Sequence, residues 1–102
     1  MAEPLEEVGG LDRTIHEPAR LAILTVLSSA ESADFLFLQR ATGLTKGNLS
    51  SHLTKLEDAG LVAIEKRFVR KKPNTNVALT AEGRRRIAAH WEQLERLKRL
   101  GE

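Results

Sequence analysis

The stretch Leu38–Val62, LQRATGLTKGNLSSHLTKLEDAGLV, decides how the rest of the chain is read. It describes two short helices about a tight turn, running into a strand. Asp34 stands where it can cap the first helix, in which Phe35, Leu38 and Ala41 recur at i, i+3 and i+6. Gly43 ends that helix, because glycine alone takes a positive φ without steric cost. Thr45 offers an N-cap for the second helix, where Leu49, Leu53 and Leu56 recur at i, i+4 and i+7 as one apolar stripe. Gly60 then fits the position just past the helix end, and Leu61-Val62 opens a strand.

The opposite face of the second helix carries the function. At about 100° per residue, Gly47, Ser51, Thr54 and Asp58 lie across from the leucines, flanked by Asn48, Ser50 and Lys55. Small residues near a helix N-terminus allow close approach to a surface. Short hydroxyl and amide side chains reach base edges and phosphates, as a helix entering a DNA major groove requires. A merely solvated face is the plain alternative. The short helix and turn that precede it weigh against that, since helix-turn-helix pairs present their second helix in this way.

The run T-K-G-N-L-S-S-H-L-T-K-L-E-D-A-G-L-V, Thr45–Val62, resembles the recognition helix of small winged-helix transcription regulators of the MarR and ArsR type. Their pattern S-x-H-L-x-x-L-x-x-A-G-L-V is matched from Ser50 to Val62. The opening E-P-A-R-L-x-I-L at Glu17–Leu24 and the run L-T-A-E-G-R at Leu79–Arg84 resemble the same family. The likeness covers about His16 to Leu97. It specifies the fold well and the regulated gene not at all. It implies one winged-helix domain over residues 1–102, mainly α with a small β-hairpin: three helices, the wing hairpin, then a fourth helix. It also implies a transcriptional regulator that binds double-stranded DNA and pairs as a homodimer.

Size and composition agree. A chain of 102 residues forms one domain that buries roughly two-thirds of its unfolded surface. Its 41% apolar content suits a core but is too dispersed for a membrane span, and no basic stretch followed by an apolar run marks a signal peptide. The absence of cysteine excludes disulfides and thiolate metal sites and fits a cytoplasmic protein. The net charge of +2 is unevenly placed: residues 1–60 hold 5 Lys/Arg and 9 Asp/Glu (−4), residues 61–102 hold 11 and 5 (+6). A basic second half suits a phosphate-binding surface.

Along the chain, Leu5, Val8, Leu11 and Ile15 recur at helical intervals. Two readings stay open: an extra helix docked on a partner subunit, or a mobile arm over residues 1–10. Pro18 marks the first turn of a helix whose Leu21, Ile23, Leu24, Val26 and Leu27 make it apolar around much of its circumference. A short strand is possible around Ala33. Four consecutive large apolar residues, Phe35–Leu38, predict a wide buried face on the next helix. After Gly60, Val62, Ile64 and Phe68 are expected to point one way and Glu65 and Arg67 the other. Lys71–Asn76, with Pro73 followed by Asn74, reads as the turn, and Val77 and Leu79 as the return strand. Thr80 caps the last helix, in which Ile87, Trp91, Leu94 and Leu97 form a stripe that outruns a small core.

The site expected from these readings has three parts. Asn48, Ser51, Thr54 and Lys55 read bases, and Lys46 and Ser50 contact phosphates. Arg67, Arg70, Lys71 and Lys72 make the wing basic. Leu11, Ile15, Trp91, Leu94 and Leu97 belong to the dimer interface, with 81–100 as the dimerisation helix. No glycine-rich phosphate loop, nucleophile–base pair or metal-ligand cluster is present in the sequence, so no enzyme, cofactor or metal is expected. His16, His52 and His90 are dispersed, and His52, at the edge of the leucine stripe, is expected to pack or hydrogen-bond within the fold. Many ArsR-type proteins sense metals through cysteines, and this chain departs from that pattern. No effector ligand can be read. The competing reading is a protein-binding module that uses Leu36, Phe37 and the last helix.

Overall fold

The computed structural model describes residues 12–102. Leu11 and the arm expected over residues 1–10 lie outside them. The order is α1 (Pro18–Ser28), β1 (Ala33–Asp34), α2 (Phe35–Thr42), α3 (Lys46–Asp58), β2 (Val62–Val69), β3 (Lys72–Leu79) and α4 (Ala81–Arg99). The strands form one antiparallel sheet in the order β1-β3-β2.

Local chemistry sets the boundaries. Pro18 occupies the first turn of α1, and the Glu17 carboxylate accepts the Arg20 N–H. Asp34 accepts the Phe37 N–H at 2.7 Å, Thr45 the Asn48 N–H at 3.2 Å, and Thr80 the Gly83 N–H at 2.9 Å. Gly43 and Gly60 end α2 and α3 at φ +73° and +77°.

The core gathers Ile23, Leu24 and Leu27 of α1, Leu38 of α2 and the α3 leucines against Leu61, Val62 and Val77 of the hairpin base and Ile87 of α4. Ile15 is fully buried in that same core. It therefore has no area to offer a partner, and its expected place in a dimer interface is corrected.

Two further expectations change. The face of α2 is narrow: Leu38 is buried and Phe35 half-buried, but Leu36 is 61% and Phe37 53% exposed. At 100° per residue these two fall outside the arc shared by Phe35 and Leu38, and a two-turn helix packed by one face cannot bury them. The hairpin turn is not at Lys71–Asn76 but at Arg70-Lys71, a two-residue loop with φ of +53° and +66°. Strand β3 starts at Lys72 and includes Pro73. In a two-residue hairpin the pair beside the loop exchanges ladder bonds and the next pair does not, so Pro73, opposite Phe68, forfeits no bond to β2. Phe68 shares a face with Val62 and Ile64, as the alternation predicts, but no core lies beneath it there, and it is 75% exposed.

A compact junction ties α3 to α4. The Thr80 hydroxyl donates to the Gly60 carbonyl at 2.7 Å, and the Thr80 N–H donates to the Leu61 carbonyl at 3.0 Å. A Cβ at Gly83 would overlap that same Leu61 oxygen.

Candidate nucleic-acid interface

The N-terminal two-thirds of α3 is the exposed element of the helix-turn-helix. Leu49, Leu53 and Leu56 anchor it, which turns Lys46, Asn48, Ser50, Ser51, Thr54 and Lys55 to solvent. The Thr54 hydroxyl donates to the Ser50 carbonyl at 3.0 Å, one turn back, so it faces outward chiefly as an acceptor. Charge runs along the helix: Lys46 and Lys55 precede Glu57 and Asp58 at the C-terminal end. This order of charges favours a polyanion near the start of α3 over one at its end.

Beside α3 the hairpin leaves an open groove. Lys46, Ser50, Thr54 and Glu57 line one wall, Lys66, Asn74 and Thr75 the other, with Ile64 and Leu53 at its apolar part and Asp34 of the α2 cap also on its lining. Sequence reasoning missed Lys66, Asn74 and Thr75. Placing the turn at 71–76 made Asn74 and Thr75 loop residues and hid their register with Arg67 and Lys66. With the strand restored, period-2 alternation puts Lys66 and Thr75 on the face that looks toward α3.

The wing cations are not equivalent. Arg67 is engaged: its Nε donates to Asn74 Oδ1 at 3.4 Å, and its guanidinium lies 3.9 Å from Glu65. Arg70, Lys71 and Lys72 are exposed at or beside the loop. The run Arg84-Arg85-Arg86 is spent on structure. Arg84 donates to the Ala30 carbonyl at 3.0 Å, Arg85 pairs with Glu82, and Arg86 binds Asp12 at 2.6 Å.

On the far side, α4 meets the segment before α1. His90 is buried, and its Nε2 lies 3.1 Å from His16 Nδ1. Its Nδ1 finds no hydrogen-bond partner among the described residues. Burial lowers the His90 pKa, and the neighbouring His16 lowers it further, against a smaller opposing effect of Asp12. Burial pushes the Asp12 carboxyl up, but the Arg86 guanidinium and the Ile15 and Thr14 N–H groups together outweigh that and hold it below the usual range. His52 packs within the fold as expected, 3.3 Å from the Arg20 guanidinium and 3.7 Å from Glu17. Of the expected interface stripe, Trp91 is 41% exposed and Leu94 and Leu97 are half-buried.

A helix-turn-helix followed by a basic antiparallel hairpin defines a winged-helix nucleic-acid-binding protein. Residues 19–98 match the winged helix DNA-binding domain family, and the chain belongs to that family. It is 37% identical over 65 residues to an uncharacterized protein of Methanocaldococcus jannaschii, which spans 64% of this chain and 71% of that one. It is similar to the transcriptional regulator homologue protein from Pyrococcus horikoshii OT3, with 31% identity, a TM-score of 0.83 and 94% of each chain covered. A MarR-family transcriptional regulator from Silicibacter pomeroyi shares the fold at 22% identity and a TM-score of 0.66, over 92% of this chain and 60% of that one. The protein is a winged-helix DNA-binding regulator, and its fold is shared with that MarR-family protein. Among the described residues, no helix is long and apolar enough to cross a membrane.

Proposed function

We propose that the protein is a cytoplasmic, sequence-specific regulator that grips double-stranded DNA as a homodimer. The N-terminal half of α3 enters the major groove, and the hairpin tip follows the backbone into the adjacent minor groove. The carrying observation is the groove between α3 and the hairpin. A duplex read on both sides of one phosphodiester strand needs a channel for that strand, and here it is walled by Lys46, Ser50, Lys66 and Thr75. In this reading Asn48, Ser51 and Lys55 face bases, and Thr54 accepts from an exocyclic amine. Lys46 and Ser50, joined by Lys66 and Thr75, hold phosphates, and Arg70, Lys71 and Lys72 meet the backbone or the minor groove.

Selection of bound sites from random duplexes, followed by titration of the recovered sequence at several salt concentrations, tests the reading. A conserved half-site repeated about one helical turn away is expected, with log affinity falling by roughly 0.9 per decade of salt for each phosphate neutralised. Replacing Arg70, Lys71 and Lys72 together by Ala should weaken binding to all sequences and flatten that slope. An unenriched pool, or binding indifferent to salt, would leave the protein-interaction module as the better account.

A further inference from the structure

The hairpin tip carries an aromatic side chain that the fold does not use. Phe68 is the most exposed large apolar residue among those described, at 75%, and Val69 beside it is also exposed. Pro73 stands directly opposite Phe68 in the ladder. Alternation puts this apolar pair on the face that holds Ile64 at its base and Lys66 and Thr75 in the groove, about 13 Å beyond Ile64. Five of the seven residues from Lys66 to Lys72 are Lys or Arg.

Charge narrows the occupant. A second copy of this tip would bring the same five cations, so self-association through Phe68 is opposed, and the ring meets a polyanion. The groove decides which one. On the hairpin wall Lys66 and Thr75 lead along one face to Pro73 and Phe68, opposite Lys46 and Ser50 of α3, a narrow track suited to a phosphodiester strand rather than to the plane of a membrane. We propose that Phe68, backed by Pro73, is a wedge that enters the minor groove, partly unstacks a base step and bends the duplex. This rests on the docking mode proposed above. Insertion of apolar side chains between base steps kinks DNA, and pyrimidine–purine steps yield most readily. The wedge thus selects a flexible step at a fixed distance from the bases read by α3, without making a hydrogen bond there.

The test uses the full chain and a doubly end-labelled duplex of about 30 base pairs with TA steps flanking the site recovered by selection. Anisotropy reports binding and energy transfer reports bending in the same titration. The wild type should raise energy transfer at saturation. Phe68→Ala should abolish the rise and lose affinity about tenfold, with the salt slope unchanged because no charge is removed. Phe68→Leu, a smaller wedge, should fall between. A stiff A-tract in place of the TA steps should reduce both binding and bending. A wild type that binds but leaves the duplex straight, or a Phe68→Ala protein that bends it equally, overturns the wedge while DNA binding stands. Failure to bind any duplex sinks both. In a Phe68→Trp, Trp91→Phe double variant, quenching of the indole on the duplex supports stacking. A blue shift on phosphatidylserine vesicles without quenching on DNA assigns the tip to lipid and overturns the proposal. Thermal melting confirms that each variant is folded, as expected for so exposed a position.

Discussion

Two side chains, Ser51 of α3 and His90 of α4, make different demands. Ser51 lies across α3 from the leucine stripe, and its hydroxyl is not tied back to the helix as that of Thr54 is. Ser51→Ala should therefore cost specific binding more than binding to random DNA, by about 1–3 kcal/mol if one good base contact is lost. Equal losses on both, measured by anisotropy, would remove Ser51 from base reading. His90 concerns stability. Its folded pKa lies below the unfolded value, so the unfolded chain takes up a proton that the folded chain resists. Stability is then intact above about pH 6.5 and declines as pH falls below it. Urea unfolding at pH 8 and pH 5.5 should show this loss in the wild type and a smaller one in His90→Leu. Neither the burial of His90 nor its meeting with His16, 74 positions away, could be read from sequence. The helix stripe, drawn through Ile87, Trp91 and Leu94, treated position 90 as incidental, whereas the N-terminal segment folds over it.

The hairpin is the element where local preference and observed structure disagree. Two-residue turns of this hand require positive φ at both central positions and favour Asn-Gly, yet here Arg70 and Lys71 occupy them. A non-glycine residue there costs on the order of 1–2 kcal/mol. Pro73-Asn74 carry the stronger turn chemistry, so local preference alone points to the wrong turn. Helix boundaries, by contrast, were legible at Asp34, Gly43, Thr45, Gly60 and Thr80, because caps and terminators act within three or four residues of themselves. Arg70→Asn with Lys71→Gly should raise the urea midpoint, by roughly 1–2 kcal/mol in stability, while lowering DNA affinity and flattening its salt dependence. A variant that is no more stable would show that the tip conformation carries no strain. One that is more stable and binds DNA equally well would show that the two cations are dispensable.

At the scale of the whole molecule, α4 is longer than the core it covers. Gly83, Ile87 and His90 are its buried residues, all in its first half, while Trp91 and Leu100 remain exposed. The proposed dimer buries the second half of α4 against its two-fold mate, each leucine contributing about 1.5–3 kcal/mol when fully covered, and sets two recognition helices about 34 Å apart. Sedimentation of the wild type should give a dimer, and Leu94→Glu with Leu97→Glu a folded monomer with weakened DNA binding. A wild type that stays monomeric at high micromolar concentration would end that reading. The architecture was legible because periodicity and punctuation report one chain's own core. Surface roles were less so, since Leu36 and Phe37 look like core residues until the width of α2's contact face is known.

The knot at Leu61, Thr80 and Gly83 has a mechanical corollary. It makes the end of α3 and the start of α4 a shared fulcrum. From it α4 extends about 28 Å and α3 about 20 Å. A 5° tilt forced on the far end of α4, a displacement there of about 2.5 Å, returns as about 1.7 Å at the N-terminus of α3. Hydrogen bonds to base edges tolerate only a few tenths of an ångström. Whatever grips the last turns of α4 therefore has leverage over the readout of a distant groove without touching it.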